Sequence, residues 1–201
     1  SILAASARHG GSAINGERRS GGEKNLWAWN AATNWNGGGM HYSADYGYGL
    51  VDTLAAVRLA ETWTAQSTTA NELSASVDLT DATTLIPDGD TAGQSFSATI
   101  SDKMVVERVT VQMDFETLFV GDLEVFVTGS DGVEWNVIKD AGGDTDVNGT
   151  FTFQSQSLRG SMSNGDWTVR VVDDETPDVI TVRDIVVTVF GAAASKNDTY
   201  I

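Results

Sequence analysis

The chain has 201 residues, a formal net charge of -16 and no cysteine. This length suffices for one large domain, or for one medium domain with an additional segment. The lack of cysteine excludes disulfides, thiolate zinc sites and a cysteine nucleophile. No run of about 18 apolar residues is present, so insertion into a membrane is not expected.

The charge is distributed unevenly along the chain. Residues 1–64 contain 5 basic and 5 acidic residues, whereas residues 65–201 contain 7 basic and 23 acidic residues. We therefore expect two structural units. The acidic unit would repel nucleic acids and anionic membranes, so neither is an expected partner. Acidic surfaces suit calcium-rich extracellular media, and solubility alone explains them equally well.

The first 63 residues mix helical and irregular patterns. ILAASA (2–7) predicts a short helix that Ser1 could cap, and the Gly-, Asn- and Trp-rich residues 9–43 predict loops with short strands. DYGYGLVD (45–52) alternates large residues with glycines, which predicts an extended segment with its large side chains on one face. From Asp52 onwards apolar residues recur at helical spacings, and Asp52 or Thr53 can cap that helix.

The remainder of the chain is predicted to form strands. Residues 64–75 are small and polar and predict a linker. After them come segments rich in Val, Thr, Phe and Trp, separated by Gly, Asp and Asn, and in several of them apolar and polar residues alternate. Seven or eight such strands predict an antiparallel β-sandwich of the jelly-roll or Greek-key type. The predicted strands are 94–100, 105–115, 122–129, 133–140, 149–155, 166–173 and 184–191.

The first 63 residues resemble the C-terminal end of a subtilisin-like serine peptidase domain (peptidase S8, or subtilase). The resemblance is carried, in the expected order, by ILAASARH (2–9), DYGYGLVDTLAAV (45–57) and RLAETW (58–63). The longer stretch NWNGGGMHYSADYGYGLVD is similar to the form found in the kexin-like branch. The resemblance implies that this segment is the tail of an α/β catalytic domain.

The acidic part resembles the P domain, or Homo B domain, that follows the peptidase domain in proprotein convertases. The resemblance is carried by VERVTVQMDFETLFVGDLEVFVTGSDG (106–132) and NGDWTVRVVDDETPDVITVRDIVVTVFG (164–191). A His that is common before GDL is absent, and the turn after the next strand reads TGSDGVEW. These two departures favour a bacterial relative over a convertase proper.

Together the two resemblances imply a domain organisation and a function. Residues 1–63 would be the peptidase tail, 64–90 a linker and entry strand, 91–191 the P domain, and 192–201 the start of a following linker or domain. The chain would be the non-catalytic C-terminal part of a secreted endopeptidase, located outside the cell or at its surface. Its P domain would pack on and stabilise the upstream catalytic domain.

No catalytic residue is expected in this chain. A subtilisin-type site needs Asp, His and Ser in that order, with the Ser at the start of a helix. His9 with Ser12 has no orienting acid at a useful spacing, and His41 with Asp45 has no nucleophile. Loop histidines without a catalytic role are the favoured interpretation, and proteolysis would belong to the parent enzyme.

Carboxylates cluster in three predicted turns, DGD (88–90), DTD (144–146) and DDE (173–175). Calcium takes six to eight hard oxygen ligands from such loops, although solvated turn acids are the commoner explanation. GGDTDVNGT (142–150) approaches the EF-hand pattern and lacks its final Glu. The ligands that we expect for a structural calcium ion, because they fall at strand ends within the family motifs, are Asp88, Asp122, Asp173 and Asp174.

A calcium-dependent carbohydrate-binding or adhesion jelly-roll is the alternative hypothesis. Its support is the fold class, the acidic loops and the two tryptophans Trp135 and Trp167. Both tryptophans alternate with valines, which favours packing in the core over a sugar-binding platform. Burial of both would favour the protease hypothesis, and exposure on one face would favour the alternative.

Overall fold

The structure is a computed structural model that describes residues 2–10, 27–32, 39–63, 68–139, 142–143 and 145–194. Its first part is a tail with two helices and a two-stranded ribbon, and its second part is formed by strands. The tail elements are α1 (Ile2–Ser6), β1 (Ala28–Trp29), β2 (His41–Tyr42) and α2 (Thr53–Thr62). The later strands are β3 (Glu72–Asp78), β4 (Thr84–Leu85), β5 (Asp90–Ile100), β6 (Met104–Thr117), β7 (Leu123–Thr128), β8 (Glu134–Ile138), β9 (Val147–Ser155), β10 (Gly165–Asp173) and β11 (Thr181–Ala193).

The strands form two antiparallel sheets, which confirms the predicted β-sandwich. One sheet has the order β5-β10-β7-β8, and the other has the order β3-β11-β6-β9 with β4 paired to β11. All seven strands predicted between residues 94 and 191 are present, with ends that differ by a few residues. Among these seven strands only β7 and β8 are both consecutive in the chain and paired, and every other connection crosses from one sheet to the other.

The alternating strand residues form the core between the sheets. The apolar side chains predicted to share one face are buried because they point into the space between the two sheets, where the partner sheet excludes water. They include Val109, Val111, Met113, Leu123, Val125, Val127, Trp167, Val169 and Val171. Trp167 is 0% exposed and Trp135 is 6% exposed, so the prediction that both tryptophans pack in the core is confirmed.

Two predictions about local structure are wrong in part. The predicted linker 64–75 overlaps β3, which begins at Glu72 because its backbone pairs with β11 despite its small polar side chains. The predicted extended segment in 45–52 is instead a tight turn, in which Ser43 and Gly47 bond each other's backbone. Gly47 and Gly49 have φ angles of 59° and 98°, a region that suits glycine and folds the chain back.

Helix α2 begins where its cap was predicted. The Asp52 side chain accepts a hydrogen bond from Ala55 N at 3.0 Å, which satisfies one of the free N–H groups of the first turn. However, Leu54 is 63% exposed and Val57 is 55% exposed, and only Ala56 is buried. Among the described residues, the apolar residues that predicted the helix therefore have little protein to pack against.

Candidate metal centre and tail contact

Three carboxylates meet at one end of the sandwich. Asp122 ends a 3-10 turn (Val120–Asp122) before β7, Asp173 ends β10, and Asp178 lies in the connection from β10 to β11. Because β7 and β10 are antiparallel and Asp173 pairs with Leu123, the start of one strand meets the end of the other. One oxygen from each of the three carboxylates lies within 4.8 Å of the others.

Two of these carboxylates are buried and only half satisfied. Asp173 is 0% exposed, and its Oδ2 accepts a hydrogen bond from Ile180 N at 3.3 Å. Asp178 is 5% exposed, and its Oδ2 accepts from Thr117 Oγ1 at 2.9 Å and from Phe119 N at 3.3 Å. Among the described residues the Oδ1 atoms of both aspartates have no hydrogen-bond partner. Leaving buried carboxylate oxygens without a partner is costly, which makes this cluster a candidate site for a cation.

The raised pKa values of two of the clustered carboxylates also make the cluster a candidate cation site. Burial, together with the neighbouring charge of Asp178, raises the pKa of Asp173 to about 6, although the hydrogen bond from the Ile180 amide lowers it. Burial also raises the pKa of Asp122, with further contributions from Asp178 and Glu175. Carboxylates that are buried close to one another are harder to ionise than carboxylates in water. A bound cation would remove this cost of ionisation.

The centre contains two of the four predicted ligands and one residue that was not predicted. Asp122 and Asp173 belong to it. Asp174 is adjacent and donates its backbone N–H to the Asp122 carbonyl at 3.2 Å, while the charge of Asp88 contributes to the raised pKa of Asp173. In the described part of the chain neither Asp88 nor Asp174 belongs to the three-carboxylate group.

Asp178 was missed because its sequence context, TPDVI, resembles an ordinary turn. Its apolar neighbours gave no clear signal either, because Ile180 is buried but Val179 is 44% exposed. The EF-hand-like stretch 142–150 cannot be compared with this cluster as a cation site, because Asp144 lies outside the described residues. The donors in the cluster are all carboxylate oxygens, which suit calcium or another hard divalent cation better than zinc.

A second site joins the tail to the opposite end of the sandwich. Asn30 is 4% exposed, and its Nδ2 donates to the carbonyls of Ser157 at 2.8 Å and Arg159 at 2.9 Å. Its Oδ1 accepts from Ala32 N at 3.0 Å and Met40 N at 2.8 Å. The two donors of this amide therefore fix the tail to the loop after β9, while its oxygen holds the backbone of the tail itself.

Aromatic side chains extend this tail contact. The Tyr42 ring packs edge-on against Trp135 with centroids 5.4 Å apart, and the Tyr48 hydroxyl donates to the Gln156 carbonyl. The backbone N–H of Ala31 donates to Asp131 at 3.3 Å. The tail contact lies at the far end of β7 from the carboxylates, about 20 Å away for a six-residue strand.

The two histidines lie in an aromatic cluster of the tail. Their rings are 5.7 Å apart, and both rings contact Trp27. His41 Nε2 donates to the Tyr48 carbonyl at 2.8 Å, and burial lowers the His41 pKa while that bond raises it. Ser12, the partner considered for His9, lies outside the described residues. The placement of His41 is that of a packed, hydrogen-bonded side chain.

The family comparison agrees with this architecture. Residues 106–188 match the family model described as the proprotein convertase P-domain. Most of the sandwich therefore matches the P-domain family, as the sequence resemblance predicted, and the sandwich is called the P domain from here on. The matched segment runs from β6 into β11 and includes all three carboxylates of the metal centre.

Individual relatives are bacterial proteases. The chain is 28% identical over 162 residues to a calcium-dependent protease of Nostoc, covering 74% of this chain and 23% of that protein. The crystal structure of Aeromonas sobria serine protease with its chaperone matches 96% of this chain and 39% of its own, with a TM-score of 0.73 and 19% identity. The same protease alone matches with a TM-score of 0.69 and 18% identity. The chain thus spans well under half of each relative, and the structural likeness concerns the fold.

Proposed function

We propose that this chain is the non-catalytic C-terminal part of a secreted, subtilisin/kexin-like serine endopeptidase. Its P domain packs on the catalytic domain of the same protein and stabilises it, outside the cell or at its surface. Residues 1–63 are the tail of that catalytic domain, 64–90 the linker and entry strand, and 91–191 the P domain. Peptide hydrolysis is performed by the upstream part of the enzyme.

The observation that carries this proposal is the contrast between two parts of the tail. In one part Asn30, Tyr42 and Tyr48 fix it to the P domain. Elsewhere in the tail, α1, α2 and the residues before α2 carry large apolar side chains that the described residues leave exposed, and we call these residues the apolar tail face. The apolar tail face consists of Leu3, Leu50, Val51, Leu54 and Val57, each at least 55% exposed.

An uncovered face of this kind indicates a partner. Exposed apolar side chains gain about 25 cal/mol for each Å² removed from water, and concentrations of them mark interaction surfaces. The tail also resembles the end of a subtilase domain in sequence. A catalytic domain that covers the apolar tail face would thereby be held to the P domain through the tail contact.

Reconstitution tests the proposal. The peptidase domain proposed to precede this chain is produced separately, folded with or without the chain, and its half-life for peptide hydrolysis is measured at elevated temperature. We expect the chain to lengthen the half-life severalfold, and the Leu54→Asp/Val57→Asp double variant to remove this effect. Ser74→Asp/Ser95→Asp, which adds the same charge to two exposed positions on β3 and β5, is the matched control. An unchanged half-life with the unaltered chain would contradict the proposal.

We further propose calcium as a structural cofactor, bound by Asp122, Asp173 and Asp178. The support is the pair of buried, unpartnered Oδ1 atoms, the oxygen-only donor set and the calcium-dependent relative in Nostoc. When bound, the ion would supply positive charge that fastens the connection between β10 and β11 to the turn before β7. Asp88 and Asp174, the other two expected ligands, are close enough to add charge at the site.

Calorimetric titration with calcium alone separates these residues. We expect Asp178→Asn and Asp173→Asn to weaken binding at least tenfold, because each removes a buried ligand charge. Asp88→Asn and Asp174→Asn are expected to weaken it less. Equal binding by the unaltered chain and Asp178→Asn would refute the assignment of Asp178.

The carbohydrate-binding alternative loses its main support. Trp135 and Trp167 are both buried, so neither offers a flat aromatic surface to a sugar ring. The chain as described provides no helix long and apolar enough to span a membrane. We therefore propose no second function.

A further inference from the structure

We infer that β9 is a self-association edge, at which two copies of this chain pair antiparallel around Phe151. This inference is independent of the protease assignment. It starts from the position of β9 at the end of the sheet β3-β11-β6-β9. Nine consecutive residues of β9 pair with β6 on one side without a register shift. In the described part of the chain no strand pairs with its other side.

The β9 edge lacks the protection that the other sheet edges have. Charged residues and prolines on edge strands normally prevent edge-to-edge pairing. The edge strand β3 contains Glu72 and Asp78, β5 begins with Asp90, and β8 begins with Glu134. In contrast, β9 has the sequence VNGTFTFQS, with neither charge nor proline. In a chain of charge -16, this is the edge on which like-charge repulsion is weakest.

The side chains along β9 are accessible to a partner. Phe151 is 41% exposed although its register partner Met113 is completely buried. Its ring contacts Phe115 at 5.5 Å between centroids, so one side of the ring packs on the core and the rest is exposed to solvent. The outward-facing residues of the strand are exposed as well: Asn148, Thr150, Thr152 and Gln154.

The strand is complementary to itself in antiparallel register. Phe151 is the middle residue of β9, so a two-fold axis through it pairs Phe151 with Phe151 and Thr150 with Thr152. The same axis pairs Gly149 with Phe153, and Asn148 with Gln154. Aromatic pairs, threonine pairs and paired amides all stabilise cross-strand contacts, and an aromatic ring can cover a glycine in the opposite strand. The occupant that fits best is therefore a second copy, in a closed two-fold dimer.

The expected association is weak and depends on salt. One pair of nine-residue strands buries less area than the roughly 1,200 Å² of a stable standard interface. The two negatively charged chains also repel each other at long range. At 0.1 M salt this repulsion is screened at distances beyond about 10 Å. Raising the salt concentration should therefore strengthen this dimer, whereas it would weaken the binding of a basic partner to an acidic surface.

Disulfide trapping tests the register, because the chain contains no cysteine. In an antiparallel pair the opposed Cα atoms are about 4.5–5.5 Å apart, which a disulfide can bridge. We expect Phe151→Cys to form a covalent dimer under mild oxidation at least tenfold faster than Ser74→Cys, placed on the opposite edge strand. A mixture of Thr150→Cys and Thr152→Cys chains should cross-link faster than either alone, which also guards against misfolding of the Phe151 variant.

Light scattering of the unmodified chain over a range of concentrations provides the second readout. We expect the average mass to rise towards that of a dimer at high concentration, and to rise further with salt. Thr152→Lys should keep the chain monomeric, whereas Ser74→Lys, with the same added charge on β3, should not. A monomer at all concentrations, or equal trapping at positions 151 and 74, would overturn the inference.

Discussion

The P domain and the tail bury their apolar residues to very different extents. Leu123 in β7 is completely buried, whereas Leu54 in α2 is 63% exposed. Both belong to clear apolar patterns, with a strand period at Leu123 and a helix period at Leu54. The difference shows that the P domain contains its own core, while α2 carries an apolar pattern that the described residues leave largely exposed. An amphipathic pattern thus predicts that one face of a helix or strand is covered by other residues. It does not predict which residues cover that face.

The same leucine-to-alanine substitution should change the free energy of unfolding very differently in the two regions, and this is the largest difference that we expect. Leu123→Ala leaves a cavity in the core and is expected to lower the free energy of unfolding by about 2–5 kcal/mol. Leu54→Ala removes the same atoms from solvent-exposed surface and is expected to change it by no more than about 0.5 kcal/mol. Urea denaturation followed by tryptophan fluorescence measures both. Similar losses for the two variants would show that α2 is packed in solution.

The carboxylate centre makes the stability of the P domain depend on pH when no cation is bound. The pKa of Asp173 is about 6 in the folded protein and ordinarily 3.8, so between these values the folded chain holds the proton more tightly than the unfolded chain. The stability it contributes is therefore present below about pH 4 and is lost as the pH rises through 6, by up to about 3 kcal/mol. Thermal unfolding in chelator from pH 4 to pH 7 should show this fall in the unaltered chain. Asp173→Asn should flatten it, and an equal slope in that variant would assign the effect to other groups.

Calcium should reverse that loss at neutral pH. An ion that binds only the folded state stabilises it by about 2.7 kcal/mol at one hundred times its dissociation constant. Scanning calorimetry at pH 7 with and without calcium should show the increase in the unaltered chain and little of it in Asp178→Asn. Magnesium is the control cation, since it demands a tighter octahedral shell. An equal response in Asp178→Asn would place the ion elsewhere.

Loss of the tail contact should destabilise the tail and leave the stability of the P domain unchanged. Asn30→Ala leaves the carbonyls of Ser157 and Arg159 without their donor, at a cost of about 1–3 kcal/mol for the buried groups. The loss of stability should be confined to the tail, because the side-chain hydrogen bonds of Asn30 go to the tail and to the loop after β9, and not to β7 or β10. Hydrogen exchange should therefore speed up in residues 39–50 and stay unchanged in β10. Faster exchange in both regions would mean that the tail and the P domain unfold as one unit.

The sequence predicted the P domain better than the tail for a physical reason. Apolar residues such as Val125 and Trp167 recur at every second position of their strands, so each strand has a face that must be buried between the sheets. The turn at 43–50 escaped prediction because alternating Tyr and Gly satisfy a strand pattern, while positive φ angles at Gly47 and Gly49 fold the chain back. Local alternation does not distinguish these two outcomes.

The metal centre was only partly predictable. Asp122 and Asp173 stand at strand ends within recognisable motifs, so their positions followed from the predicted sheet. Asp178 lies in a connection whose path is determined by tertiary bonds to Thr117 and Phe119, more than fifty residues away in sequence. Carboxylates on irregular connections can be assigned to a site only once that path is known.

Direct binding tests the central claim that the apolar tail face is covered by a catalytic domain. The separately produced peptidase domain is titrated with the full chain by calorimetry, and the Leu54→Asp/Val57→Asp variant is compared with the Ser74→Asp/Ser95→Asp control. Our account predicts a one-to-one complex with a negative heat-capacity change from apolar burial. It also predicts at least a hundredfold weaker binding for the tail variant alone. Equal affinities for the two variants, or no complex with the unaltered chain, would contradict it.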